Sequence, residues 1–242
     1  MRDLREADLS DVAGLAFDVD DTLTTHGILT APAFASLCAL RQAGLALIAV
    51  TGRPLGWADA MASTWPIDAA VGENGAGWSW REGRSLRVSY HHGEEARRAQ
   101  RAKIDVVRDS VLERMPEVRL AGDNAARRCD VAFDIGERTR MPPTGIDALL
   151  ELIGDLGVRA TCSSVHAHAV AGDWNKALGV AQAAGDALGD FEPGRWVFVG
   201  DSGNDAEAFA VFERSVGVAN VRAHLDRLPT RPRWITEAER GE

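Results

Sequence analysis

Short apolar runs rich in β-branched residues alternate along the chain with longer alanine- and leucine-rich stretches, the pattern of a parallel sheet wrapped by helices. Gly14 to Val19, Leu45 to Val50, Trp196 to Val199 and Ser215 to Val218 each read as a strand buried on both faces, and Lys176 to Leu188 as a helix. Polar residues follow each of these strands. In open α/β sheets ligands gather beyond the carboxyl ends of the strands, so Asp18 and Asp20, Thr51, and Asp201 through Asp205 are expected to converge there.

The middle of the chain has a different rhythm. Trp78 to Val88 predicts a hairpin with Glu82-Gly83 at its turn, and Glu94 to Met115 a long charged helix that Pro116 interrupts. Asp130 to Ile135 and Thr161 to Val170 read as strands flanking a helix over 144–156, which Pro142-Pro143 introduces and Gly157 closes. The whole reads as a doubly wound, Rossmann-like α/β core over 1–78 and 172–242, with an inserted α/β domain over 79–171.

Composition narrows the function. The 242 residues, 45% of them apolar, suffice for one large domain or two modest ones. With 27 basic against 36 acidic residues the net charge is −9, which argues against a surface that neutralises nucleic-acid phosphates or anionic lipid. The longest apolar stretch, Ala43 to Val50, is too short to span a bilayer, and the first ten residues lack an export signal. Cys38, Cys129 and Cys162 are too few and too scattered for a disulfide framework, so a reducing cytoplasm is the expected compartment.

The acidic residues carry the chemistry. In extended backbone Asp18 and Asp20 point to the same side, and two adjacent carboxylates repel unless a cation lies between them or one is protonated. Gly200-Asp-Ser-Gly-Asn-Asp adds Asp201 and Asp205, with Gly203 permitting a tight turn. A single aspartate after a strand serves as readily as a turn former or helix N-cap; four of them at one sheet end imply an oxygen-rich site of the kind Mg²⁺ prefers.

These segments, Asp18-Val-Asp-Asp-Thr, Thr51-Gly-Arg, Lys176 and Gly200-Asp-Ser-Gly-Asn-Asp, resemble in order and spacing the four motifs of the haloacid-dehalogenase superfamily. The insertion between the second and third resembles the type IIB cap of Cof-like phosphatases, sucrose-phosphate phosphatase and eukaryotic-type phosphomannomutase. One departure is Asp21, where many members carry glycine. The resemblance implies Asp18 as a nucleophile that becomes an aspartyl-phosphate and Asp20 as general acid and base. It implies Mg²⁺ on Asp18, Asp201 and the backbone carbonyl of Asp20, with Asp205 as a further ligand or support. Thr51 would bind a phosphoryl oxygen and Lys176 offset charge; Gly52 is a further candidate contact, Asn204 is read as orienting either Asp205 or phosphate, and Arg53 as reaching either phosphate or a surface acid.

Substrate choice is expected on the insertion. Arg127 and Arg128 precede one of its strands, and His166 and His168 alternate on another, sharing a face that looks either at the site or at water. The expected activity is hydrolysis of a small phosphorylated metabolite, a sugar phosphate by family analogy, with no nucleic-acid or membrane partner. Two rivals stand beside it: a phosphosugar mutase, which needs a second phosphate grip such as Arg127 with Arg128, and a noncatalytic binding protein on the same fold.

Overall fold

A computed structural model describes residues 1–241. The chain runs β1 (Arg2–Asp3), β2 (Gly14–Asp18), α1 (Ala31–Gln42), β3 (Ala46–Val50), α2 (Leu55–Thr64), β4 (Ala69–Gly72), β5 (Gly77–Glu82) and β6 (Ser85–Tyr90). It continues through α3 (Glu94–Arg114), β7 (Arg119–Leu120), β8 (Asp130–Asp134), α4 (Pro143–Asp155), β9 (Arg159–Cys162) and β10 (His166–Val170). It closes with α5 (Lys176–Leu188), β11 (Trp196–Gly200), α6 (Ala206–Val211), β12 (Arg214–Gly217) and β13 (Trp234–Ile235).

Nine strands form one sheet in the order β1-β13-β12-β11-β2-β3-β4-β5-β6, parallel from β1 to β4 and antiparallel through β5 and β6. Alternation along its central strands sends Ala16, Ile48, Val50 and Phe198 to one face, against Val180 and Ala184 of α5 and Phe209 of α6. Phe17, Leu47 and Ala49 go to the other, against Leu37 of α1 and Ala58 and Met61 of α2. Both faces are covered, which is why these strands carry unbroken apolar runs. Strand order reverses between β2 and β11. Asp18 is level with Val50, and Thr51 and Asp201 each stand one residue beyond their strands, so the three meet at the topological switch point.

The second sheet, β7-β8-β10-β9, is antiparallel throughout. Its outer face packs Val131, Phe133, Ala167 and Ala169 against Ile104, Val107 and Val111 of α3 and Leu149 and Ile153 of α4. The alternate residues, Asp130, Ala132, Asp134, His166 and His168, consequently face the large sheet's carboxyl edge.

Two expectations need correction. The hairpin now seen as β5 and β6, expected to open the insertion at residue 79, extends the large sheet by pairing with β4, so the second sheet unit begins only after Tyr90. Alternation along a hairpin shows that one face is buried, not which sheet it joins. The single strand expected over 161–170 is instead two, β9 and β10, because the Ser163 hydroxyl accepts from the Val165 and His166 amides and turns the chain between them. Among the described residues no helix is long and apolar enough to cross a membrane.

Candidate active site

Asp18 ends β2 with 4% of its surface exposed. The chain then folds back, with the Leu23 and Thr24 amides donating to the Val19 carbonyl. Asp21 sits in that turn with φ +58°, a left-handed conformation glycine adopts freely and aspartate tolerates. This explains how the departure from the family motif is accommodated: Asp21 keeps the turn and gains a contact with Arg240, whose Nε is 3.3 Å from Oδ1.

Lys176 reaches Asp18 from the first turn of α5. Asn175 caps that helix by accepting from the Leu178 amide, 2.9 Å, and so fixes Lys176 beneath the strand ends. The ammonium, wholly buried, lies 2.5 Å from Asp18 Oδ1 and 2.7 Å from Asp205 Oδ1. Asp205 is fully engaged, since its Oδ2 accepts the Asp201 and Ser202 amides at 2.9 and 3.1 Å. A Cβ on Gly200 would fall 2.5 Å from that carboxyl, so glycine is required there by close approach. At Gly203 the requirement is also contact rather than an unusual φ: a Cβ would fall 2.8 Å from the Cys162 carbonyl of the second sheet unit. Asp201 accepts from Asn220 Nδ2 at 3.1 Å and the Thr22 hydroxyl at 3.4 Å.

Burial, with the Asp205 and Asp20 carboxylates adding to it and Lys176 opposing it, pushes the Asp18 carboxyl up to about 7. Burial and the neighbouring Asp18 and Asp205 push Asp201 well above the ordinary carboxylate range. Burial works against charge on Lys176, but Asp18 and Asp205 outweigh it and hold the ammonium above its ordinary value.

Asp20 lies in a wetter setting, its side chain 21% exposed. Thr51 Oγ1 donates to it at 3.2 Å, and Arg53 grips it through Nε and Nη2 at 3.0 to 3.2 Å. Arg53 in turn reaches Glu137 of the second sheet unit at 2.7 Å, and Glu137 meets His166 Nε2 at 3.1 Å. His168 and His166 are buried, and both line the cavity with Asp18, Asp20, Gly52, Arg53 and Asn204. His168 Nδ1 donates to Asp130 at 2.9 Å, leaving its Nε2 without a protein partner; Asn74 Nδ2 is likewise unpartnered. Both residues flank Gly52, whose added Cβ would come within 3.2 Å of His168 Nε2 and of Asn74 Oδ1. The cavity holds only about 10 Å³, room for about one water, while a neighbouring one of about 310 Å³ shares Asp20 and Arg53.

The structure thus brings together Asp18, Asp20, Thr51, Lys176, Asp201, Asp205, Gly52, Arg53, Asn204, His166 and His168. It does not bring in the basic pair. Arg127 is spent on Asp123, Asp130 and the Gly52 carbonyl, and the Arg128 guanidinium turns to Tyr90 and Asp59, 44% exposed.

Sequence reasoning gave no site role to Asp130, Glu137 or Glu73, reading Glu73 only as part of the loop that leads into the insertion and Asp130 only as the start of a strand. Glu73 is wholly buried with φ +47°, and accepts from the amides of Leu55, Arg128, Cys129 and Asp130, tying the edge of the large sheet to β8. The only signal for Asp130 was its alternation with Ala132 and Asp134.

Asp18, Asp201 and Asp205 place one carboxylate oxygen each within 4.8 Å of one another, all buried. Raised carboxyl pKa values at Asp18 and Asp201 mark a site short of positive charge, and an all-oxygen donor set suits a hard divalent cation. Asp18 and Asp205 share the Lys176 ammonium through one oxygen each, and Asp205 Oδ2 is taken by two amides, so Asp18 and Asp201 are the less engaged of the three carboxylates that could hold it.

No family model matches the chain, and no curated protein matches its sequence. Solved structures do. A Synechocystis sucrose-phosphatase in complex with sucrose and phosphate has a TM-score of 0.66 at 18% identity, covering 95% of this chain and 94% of that one. A trehalose-6-phosphate phosphatase related protein gives 0.56 at 18%, over 93% and 92%. A haloacid dehalogenase-like hydrolase from B. subtilis gives 0.62 at 15%, over 94% and 95%. The likeness extends over both sheet units, and the chain has the haloacid-dehalogenase fold with its Rossmann-like core.

Proposed function

We propose that this protein is a Mg²⁺-dependent phosphomonoesterase acting on a small phosphorylated metabolite through an aspartyl-phosphate at Asp18. The observation that carries the reading is the contrast between two carboxylates two residues apart: Asp18 dry and paired with Lys176, Asp20 half-open and held by Thr51 and Arg53. Asp18 Oδ1 faces Lys176 and would also face the cation, leaving Oδ2 to form the bond to phosphorus while the ester P–O bond breaks. The Asp20 carboxyl gives its proton to the departing oxygen, then as carboxylate takes one from the water that cleaves the aspartyl-phosphate. Thr51 and Arg53 fix the Asp20 carboxyl for both transfers. Mg²⁺, held by Asp18, Asp201 and the Asp20 carbonyl, would neutralise the phosphoryl oxygens as charge shifts.

A sugar phosphate is the proposed class of ester. The unpartnered His168 Nε2, an acceptor, and Asn74 Nδ2, a donor, suit a hydroxyl, and the larger cavity at Asp20 gives the leaving group a place. One structural relative is by name a sucrose-phosphatase, and another is by name related to trehalose-6-phosphate phosphatase. The commitments of Arg127 and Arg128 leave a mutase without its second phosphate grip. We further propose a division into a core and a cap inserted between Tyr90 and Lys176, and a reducing cytoplasm as the compartment.

Phosphate release from a panel of sugar phosphates, with and without Mg²⁺, tests the reading. Turnover should require the metal and vanish in Asp18→Asn, and Asp20→Asn should lose about 10²- to 10⁴-fold. Near-normal turnover by Asp18→Asn, or isomerisation without free phosphate, would sink it.

A further inference from the structure

Among the described residues a second group brings three ligand atoms within 4.8 Å of one another: His91, His92 and Asp173. It is remote from the carboxylates in chain and in kind. His91 and His92 are the link between β6 and α3, where the chain enters the cap, and Asp173 lies in the link between β10 and α5, where it returns.

The histidine tautomers bear on what the group can hold. His91 Nδ1 is 2.7 Å from Gln182 Oε1, an acceptor, so the ring proton sits on Nδ1 and Nε2 presents a lone pair. That lone pair faces Asp173 Oδ1 at 3.4 Å. Two acceptors facing each other at that distance repel unless the ring takes up a second proton or a cation lies between them. His92 Nε2 closes on the same oxygen at 2.7 Å, and the two rings stand edge to face with centroids 4.7 Å apart. Ligands on a tetrahedral zinc ion, with bonds of about 2.0 to 2.2 Å, lie about 3.3 Å apart, close to the His91–Asp173 separation. The His92–Asp173 contact would open by about 0.6 Å on that geometry, which the Asp173 side chain, 78% exposed, is free to do. Gln182 supplies the outer hydrogen bond that metal-ligating histidines need to fix the ring.

We propose that His91, His92 and Asp173 bind a divalent transition-metal ion of the zinc class, fastening together the two chain segments that join core and cap. Two imidazoles and one carboxylate favour zinc, cobalt or nickel over magnesium, which separates this site from the all-oxygen one. The fourth position is left to water. Because the ligands come from both crossings, a bound ion resists their separation, and Trp174, packed against both histidine rings, carries that restraint toward α5. The site stands independently of the proposed phosphatase activity.

Zinc and cobalt titrations of the whole protein, with Mg²⁺ in saturating excess, read the site by calorimetry and by the ligand-field absorption of bound Co²⁺. One equivalent should bind with cobalt bands of low-symmetry four-coordination. His92→Gln and Asp173→Asn should each weaken it at least tenfold, Gln182→Leu about tenfold, and Asp201→Asn should leave it intact. Metal-free melting of Asp173→Asn should match the parent, since that side chain is exposed. Zinc binding unchanged in both His92→Gln and Asp173→Asn, or no equivalent beyond what Mg²⁺ displaces, would overturn the proposal.

Discussion

Asp18 and Asp20 are separated by one residue and by a change of medium. Pushed up to about 7 chiefly by burial, the Asp18 carboxyl has to lose its proton before it can hold a cation. Mg²⁺ affinity should therefore fall as pH drops below about 7, and calorimetric titration at pH 6 and pH 8 checks it; equal affinities would contradict it. His168 gives a second pH effect. Burial holds its imidazole down at about 4, against the Asp130 contact that favours the charged ring. Between pH 6.5 and 4 the unfolded chain binds a proton there that the folded one refuses, so stability is whole above 6.5 and declines through that window. Glu73, pushed up to about 7 by burial and by Asp130, acts with the opposite sign over part of the same range. The comparison must therefore be made against His168→Gln, which keeps Glu73. Denaturant midpoints should fall faster with acid in the parent than in the variant; parallel curves would refute the assignment. At this scale the four aspartates were legible because each follows an apolar run and matches an ordered motif. Whether His168 faced the site or solvent was not, since alternation places residues on a common face without saying what covers it.

The element that repays attention is the short turn after β4. Glu73 and Asn74 both adopt positive φ, and the Glu73 carboxylate satisfies four backbone amides, three of them on the residues leading into β8. Truncation to Glu73→Ala strands those donors in a buried place, and the expected loss is about 3 kcal/mol of unfolding free energy by urea titration. A loss below about 0.5 kcal/mol would show that water replaces the carboxylate without cost. Helices α3, α4 and α5 were readable to within a residue or so, through their periodicity, their proline and glycine stops, and in α5 the asparagine cap. The hairpin of β5 and β6 was readable as a hairpin but not as part of the large sheet. That membership depends on β4, whose Ala-Ala-Val-Gly is too short and too small-chained to announce itself as a strand.

For the whole molecule the decisive feature is that the two sheet units meet directly across the site. Arg53 spans them, holding Asp20 on one side and Glu137 on the other, and Arg127 donates from the cap to the Gly52 carbonyl. Removing one arm in Glu137→Ala should loosen the closure by about 1 kcal/mol, since both partners are only partly exposed. Amide exchange over 91–93 and 171–175 should then quicken about fivefold; unchanged exchange would show that Glu137 does not hold the cap.

With space for about one water beside Asp18, the closed arrangement has room for a leaving group at Asp20 but little for a phosphoryl group, so on the proposed reading an ester would first be met by a more open form. Discrimination is then a race rather than a weighing. Under the proposed function, an ester over which the second sheet unit closed quickly would be committed to cleavage, and one that fitted the phosphoryl pocket equally well but delayed closure would drift away uncut. Such an enzyme would be selective in time, with two esters of similar affinity separated by their residence beneath a moving cap.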